Sequence, residues 1–500
     1  MNNVSGTVRV GLYGIGLDTY WPQFKGLRER LEGYQSKIAA RLEQCGADDL
    51  TRSPRPHASH ISPSSHSPRV QVINAGLVDN VEAARESALL FKRENVEVIF
   101  LYVSTYALSS TVLPVVQQVK VPVVVLNLQP VPAIDYDAFN SLGDRGVMTG
   151  EWLANCQACS APEIACVFNR AGIDYHLVSG YLEDEEAWRE IEAWVEAARV
   201  AAVMRNNRVG VLGHYYCGML DVYSDMTQQA RYLGCHFELL EMCQLKECRD
   251  AVTDATLRAK IDQIETEFDV SPECEASEVE RAARTACALD ALVEHFKLGA
   301  LAYYYESTAG NPYQDIVTSV ITGNSLLTAH NVPVAGECEI KNVQAMKIMD
   351  AFGVGGSFSE FYLMDFVEDV VLLGHDGPGH MAIAEGKVKL VPLGVYHGKP
   401  GKGLSIEMMV KNGPVTLLSL VQDGAGKLKL LVAEGESVPG PIMRIGNTNS
   451  RYSFSIGAKN FVNAWSKAGP AHHCAIGVGH IAQKLEKLAA ILGMECVRVS

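Results

Sequence analysis

Val96-Glu97-Val98-Ile99-Phe100-Leu101-Tyr102-Val103 is followed, after a short gap, by Val121-Pro122-Val123-Val124-Val125-Leu126. These two nearly continuous apolar runs decide the fold. A strand with one wet face alternates polar and apolar residues, whereas a strand buried on both faces does not need to, as in a parallel sheet covered by helices. Working outward, Thr7 to Tyr13 and Val70 to Asn74 are further β-rich runs, and segments 22–44 and 79–93 carry helical spacing. This βαβ rhythm predicts a Rossmann-like parallel sheet. The loops that start near Gly14 and Asn127 then lie at the carboxyl ends of strands, where such sheets take their ligands.

A second α/β block is expected over 163–330, with strands at 164–168, 208–212, 235–240 and 299–305 and helices at 183–206, 221–233 and 275–297. The acidic run Glu183-Asp184-Glu185-Glu186 suits a helix N-terminus, where the helix dipole favours negative charge. Beyond about 330 the texture changes. One helix (340–352) precedes β-rich segments at 386–395, 403–411, 414–422 and 427–436, separated by turns such as Lys411-Asn412-Gly413-Pro414 and Asp423-Gly424-Ala425-Gly426. Close spacing with hairpin turns predicts an antiparallel sheet or barrel. A last helix is expected at 479–492. The fold class is therefore two Rossmann-like parallel-sheet α/β domains (1–165 and 166–330) followed by a β-rich, antiparallel barrel-like C-terminal domain (331–500). The Ser-, Pro- and His-rich segment 48–69 reads as a surface loop, and His57, His60 and His66 within it as solvated side chains rather than a metal tract.

The 500 residues exceed what one core can serve. A net charge of -15 argues against nucleic acid or an anionic membrane as the main partner. No apolar stretch long enough for a membrane span is present, and Met1-Asn2-Asn3-Val4-Ser5-Gly6 has no secretory character, so a cytoplasmic location is expected. The thirteen cysteines read as reduced thiols, several of them in the core, as in Ile164-Ala165-Cys166-Val167-Phe168. Cys156-Gln157-Ala158-Cys159 has redox or zinc spacing, but with no second pair nearby it reads as buried helix cysteines. Gly14-Ile15-Gly16 lacks the third glycine of a dinucleotide-binding fingerprint, so a tight turn holding Asp18, Tyr20 and Trp21 over a pocket is the better reading.

Four residues of the C-terminal third stand in polar contexts that a packed core does not require: Glu337 in Gly336-Glu337-Cys338-Glu339, Glu360 in Ser357-Phe358-Ser359-Glu360, His375 in Gly374-His375-Asp376-Gly377, and His473 in Ala471-His472-His473. Two carboxylates and two imidazoles suit Mn²⁺ or another divalent cation, with positions left for substrate oxygens. A solvated surface position is the lesser reading for each, and His380 and His397 compete with His375. In the central block, Tyr305 and Glu306 end an apolar strand, where sugar-binding side chains would sit, while Tyr303 suits core packing.

These motifs, in this order and over nearly the whole chain, resemble the L-arabinose isomerase family within the broader fucose/arabinose isomerase-like group. Gly336-Glu337-Cys338-Glu339 is similar to that family's Gly-Glu-Gly-Asp, and Gly356-Ser357-Phe358-Ser359-Glu360 to its Thr-Ser-Phe-Met-Glu-Asp. Leu372-Leu373-Gly374-His375 resembles Leu-Gly-Ser-His, and Gly469-Pro470-Ala471-His472-His473 resembles Gly-Gly-Ala-His-His. The substrate side matches more loosely, through Thr19-Tyr20-Trp21-Pro22, Asn127-Leu128-Gln129, Gly218-Met219-Leu220-Asp221-Val222 and Tyr305-Glu306-Ser307.

The resemblance implies a metal-dependent aldose–ketose isomerase working by proton transfer through an enediol. Glu337, Glu360, His375 and His473 would hold the metal, and Glu337 and Glu360 would shuttle the proton. Tyr20, Gln129, Met219, Tyr305, Glu306 and His472 would meet the sugar. It also implies a trimer or hexamer, in which Tyr20 and Gln129 act across an interface. Leu17-Asp18 replaces the family's Gln-His, and Glu339-Ile340-Lys341 replaces its Asp-Trp-Lys, so the sugar pocket is expected to be rebuilt. A related isomerase or epimerase of another or modified sugar, or a non-catalytic sugar-binding protein, is the alternative.

Overall fold

The structure is a computed structural model that describes residues 7–45, 70–306, 310–396, 399–400 and 402–499. The segment 48–69, with its three histidines, and His397 lie outside the described residues. By packing the chain forms two compact units, divided between Ala202 and Val203.

The first unit is built on β1 (Val8–Ile15), β2 (Val70–Val78), β3 (Val98–Tyr102), β4 (Val123–Gln129) and β5 (Tyr175–Tyr181), all parallel, in the order β2-β1-β3-β4-β5. The apolar runs behave as expected: every residue of β3 is buried, as are Val123 to Leu126 of β4. The strand expected at 164–168 is instead part of the helix Gln157–Ala171, and the sheet gains β5 beyond it. Four residues of that run are apolar, and periodicity cannot separate a short buried strand from a helix turn. Cys166 is exposed rather than in the core, because the helix turns it away from Ile164 and Phe168, both of which are buried. After β1, the Trp21 ring lies over Gly16, where an added Cβ would sit 2.7 Å from it, and the Trp21 indole N–H donates to Asp79 at 2.8 Å. The glycine thus makes room for a side chain, not for a nucleotide phosphate.

The second unit opens with β6 (Arg208–Gly213), β7 (His236–Leu240), the short β8 (Asp269–Val270), β9 (Ala300–Tyr304) and β10 (Val334–Ala335). β10-β9-β6-β7 form a four-stranded parallel sheet, and the helices 185–205 and 276–296 arise where spacing predicts them. Asp184 accepts the Glu186 N–H at 3.0 Å, so part of the acidic run does cap a helix.

Next come β11 (Gly355–Asp365), β12 (Val370–His375), β13 (Lys389–Pro392), β14 (Val395–Tyr396), β15 (Lys399–Pro400), β16 (Leu404–Glu407), β17 (Gly413–Gln422), β18 (Leu428–Val438), β19 (Thr448–Ser453), β20 (His473–Val478) and β21 (Glu495–Val499). Strands β17-β20-β11-β12-β19-β18 pair antiparallel in that order, and β18 pairs back with β17, closing a six-stranded barrel with β21 added in parallel to β18. Its core includes Phe461, Trp465, Leu417 and Ile476. Between the barrel and the parallel sheet lies the helix Ile340–Ala351, buried from Ile340 through Met349. A helix buried all round needs neighbours on every side, and its polar Lys341, Asn342, Gln344 and Lys347 are buried with it.

Gly374 marks where two barrel strands come closest. A Cβ there would stand 1.9 Å from the Thr448 carbonyl oxygen, a backbone atom that cannot step aside. Gly374→Ala is therefore expected to cost about 3 kcal/mol, the upper end for overpacking. Urea unfolding of the purified variant checks this, and an unchanged midpoint would mean that β12 and β19 can part without loss.

Candidate metal centre

The carboxylate of Glu337 is presented by an unusual turn. Glu337 and Cys338 both adopt left-handed backbone conformations, with φ of 54° and 56°. Side chains with a Cβ reach that region at a cost of roughly 1–2 kcal/mol each. Backbone bonds hold the turn: the Cys338 N–H donates to the Tyr303 carbonyl at 3.1 Å, the Tyr216 N–H to the Glu337 carbonyl at 3.3 Å, and the Glu339 N–H to Gly336 at 3.0 Å. Strain that is held this firmly is characteristic of functional sites. Directly after it, Glu339 is the N-cap of the buried helix, whose dipole favours the adjacent negative charge.

The barrel supplies the rest. In the β11–β20 register Glu360 stands opposite His473, and in β11–β12 it stands opposite Gly374, next to His375. The Phe358 ring, fully buried, lies 4.3 Å from the rings of both His375 and His473, which are 5.1 Å apart. Gly336 permits this approach, since a Cβ there would lie 3.1 Å from Phe358 and 3.7 Å from His375.

His473 has no exposed surface. Its Nδ1 meets the Glu339 carboxylate at 2.6 Å, which aims Nε2 at Glu337 Oε2, 3.6 Å away. Among the described residues neither Nε2 nor that Oε2 has a hydrogen-bond partner, although both are buried. Two converging buried lone pairs without a donor between them suit a divalent cation. His472 Nε2 reaches the same Glu337 oxygen at 3.5 Å and a Glu360 oxygen at 3.9 Å. Glu337, His472 and His473 could share one ion, their ligand atoms all lying within 4.8 Å of one another.

Sequence reading thus names four residues that the fold brings together: Glu337 to His473 through facing atoms, His375 through its ring, and Glu360 through strand register. His380, the rival of His375, is buried and its N–H donates to Ser357 at 3.3 Å. Of the residues expected to meet substrate, His472 joins the cluster. Met219 is half-buried in the loop after β6, and its near neighbour Asp221 is the residue that reaches the site. Tyr305 packs beside His214 and Tyr313, with ring centroids 6.0 and 5.6 Å away, and Tyr303 is buried in the core as expected. Glu306 is exposed and accepts from the Tyr304 hydroxyl at 3.4 Å. Tyr20 and Gln129 belong to the other unit; Tyr20 packs on Trp21 and Phe24, and the Gln129 side chain donates to the Val131 carbonyl at 3.1 Å.

Three contributors escape sequence reasoning. Glu339 orients His473, Asp221 accepts from the His472 N–H at 3.0 Å and meets its ring Nδ1 at 2.6 Å, and the buried Lys341 ammonium donates to the Asp221 carbonyl. Asp221 lies within the Gly218–Val222 stretch, one of the looser matches on the substrate side, where nothing marks it out from its neighbours. Glu337 and Asp221 together push the His472 imidazole up to about 9, against the opposing effect of its partial burial. Burial lowers the Lys341 ammonium, with Glu339 and Asp221 acting in the other direction.

A parallel α/β scaffold joined to a closed barrel, with carboxylates and imidazoles converging at the junction, defines the class of protein. Comparison with known proteins is consistent with it. Residues 381–499 match the family described as L-fucose isomerase, C-terminal domain. The chain is 23% identical over 352 residues to the L-arabinose isomerase of Acidothermus cellulolyticus, covering 67% of this chain and 69% of that protein. It is 24% identical over 342 residues to L-arabinose isomerase 1 of Bacillus licheniformis (66% and 67% covered) and 23% identical over 366 residues to the L-arabinose isomerase of Bacillus subtilis (69% and 71%). The family match spans residues 381–499, and the likeness to L-arabinose isomerases extends over about two thirds of the chain. Among the described residues no helix is long and apolar enough to cross a membrane.

In the metal-free protein, charged His472 contributes stability that is fully present below about pH 6.5 and is lost as pH rises through about 9. Asp221→Asn should bring the His472 titration, followed by imidazole NMR, down toward its ordinary value. It should also shrink the decline in thermal stability across that window. An unmoved titration would show that Asp221 does not hold the ring.

Proposed function

We propose that the protein is a divalent-cation-dependent aldose–ketose isomerase of a small sugar. The observation that carries this reading is the pair of buried, hydrogen-bond-free atoms, Glu337 Oε2 and His473 Nε2, 3.6 Å apart. The family match over residues 381–499 and the names of the relatives support the reaction class.

Moving a carbonyl between C1 and C2 requires a proton to leave one carbon and reach the other. That proton is weakly acidic, so the enediolate formed on its removal needs positive charge close by. Mn²⁺ or a similar ion, held by Glu337, Glu360, His375 and His473, would supply Lewis-acid stabilisation when bound. Glu337 and Glu360 flank His472 from two sides and act as base and acid in turn. His472, fixed by Asp221, donates to a sugar hydroxyl. Met219, Tyr305 and Glu306 line the substrate side. Glu339 keeps His473 in the tautomer whose Nε2 is a lone-pair donor. A trimer or hexamer in which Tyr20 and Gln129 serve a neighbouring subunit is part of the same proposal.

A second reading, an isomerase or epimerase of a different or modified sugar on the same centre, is favoured by Leu17-Asp18 and Glu339-Ile340-Lys341, which depart from the family pattern.

The reaction is tested by incubating Mn²⁺-loaded protein with a panel of aldoses and ketoses and scoring interconversion. Glu337→Gln and Glu360→Gln should each lower turnover by orders of magnitude with unfolding midpoints retained; near-wild-type rates would remove the shuttle assignment. Glu339→Ala should weaken Mn²⁺ binding by about 10- to 100-fold, read by calorimetry, as loss of a ligand-orienting partner does. Protein that retains no Mn²⁺ after gel filtration, and that converts no sugar on the panel, would instead be a sugar-binding protein.

A further inference from the structure

We propose that Cys156 and Cys159 form a reversible dithiol–disulfide pair, a redox modification site on the N-terminal unit that uses a low-molecular-weight disulfide as its oxidant. The sequence gives the spacing, and the fold turns it into geometry. The chain does not run as one helix through this segment: a helix ends at Ala154, and the next starts at Gln157 with Cys156 as its N-cap, in a non-helical conformation (φ -101°, ψ 39°). Cys159 lies in the first turn of that helix, three residues on. An N-cap and the residue three positions on lie on the same end of the helix, and a disulfide between them needs their Cβ atoms within about 3.5–4.5 Å. Only the first turn has to tighten.

The two thiols are near enough for Cys159 to act on Cys156 electrostatically, and neither is in a disulfide. Their environments differ. Cys156 is 4% exposed, and burial together with Cys159 pushes its thiol up to about 12. Cys159 is exposed, in the first turn of the helix. The turn itself is fixed from outside, since the Gln157 amide donates to the carbonyls of Ser104 at 2.9 Å and Ala154 at 3.0 Å. Both thiols bear on Tyr20, whose phenol they hold above its ordinary value after burial and Tyr106.

This asymmetry sets the order of events. The Cys159 thiolate attacks one sulfur of glutathione disulfide, forming a mixed disulfide and releasing one glutathione as its thiolate. Cys156 then loses its proton to water, attacks the Cys159 sulfur and expels the second glutathione. Two protein thiols are oxidised to one disulfide and one disulfide is reduced to two thiols. The second step is the slower, because its nucleophile is buried and rarely ionised.

The test uses the full chain equilibrated in glutathione buffers of graded ratio, acid-quenched, alkylated under denaturing conditions and mapped by mass spectrometry. The peptide carrying Cys156 and Cys159 should lose both alkylatable thiols together, become about 2 Da lighter than its reduced form and be restored by dithiothreitol. In Cys156→Ser, glutathione should remain on Cys159. The wild-type map decides even if that variant does not fold. Glutathione persisting on Cys159 of the wild type, or a pair still reduced in the most oxidising buffer, would overturn the proposal, whatever happens at exposed Cys166, Cys217 and Cys243.

Discussion

The contact between Glu339 and His473 is the constraint on which the rest of the site depends. It joins the N-cap residue of the buried helix to the first residue of a barrel strand, at 2.6 Å and with almost no exposed surface on either side. An imidazole so enclosed has only two ring atoms with which to satisfy its polarity. Once the carboxylate takes Nδ1, the other nitrogen is left to face away from it. Glu337, on the strained turn just before the helix, is the group it faces. The arrangement also places charge where it is least costly: two carboxylates near the amino end of a helix, whose dipole offsets part of their desolvation.

The outline of the fold was legible because it rests on hydrophobic patterning. Val98 to Tyr102 and Val123 to Leu126 are buried on both faces, as strands of a covered parallel sheet are. The hairpin of β17 and β18 was legible from Asp423-Gly424-Ala425-Gly426, where Asp423 accepts the N–H groups of Ala425 and Lys427. Residues 164–168 misled because four apolar residues in five satisfy a strand and a helix equally. β11, β12, β19 and β20 went unread as strands: they mix Gly, Ser, His and Asn, residues present for the site and for close strand approach rather than for β propensity.

The site was legible in part, and for a different reason. Glu337, Glu360, His375 and His473 stood out because each stands in a polar context that a packed core does not require, and their order matched a known pattern. Their partners did not stand out. Asp221 and Glu339 are ordinary acidic residues in sequence, and only the pairing of a loop after β6 with the start of β20 gives Asp221 its position, 251 residues from His472. Long-range electrostatic partners leave no local trace. Sequence spacing did flag Cys156 and Cys159, yet the break between two helices, which makes one an N-cap and the other exposed, had to be seen.

The closed circuit of six strands has a consequence for how such a centre can change over time. No strand in that ring has a free side along which to slide, so a shift of one residue between β11 and β20 would require every other pairing to shift as well. Where an extra residue is accommodated within a strand it is as a local bulge, as in β11 between Phe361 and Leu363, which leaves the pairing of Glu360 intact. Residues opposite one another, such as Glu360 and His473, are therefore locked as neighbours for as long as the ring persists, while the loops that meet a ligand drift freely. A lineage built this way can exchange what it recognises many times and keep the same inner hardware.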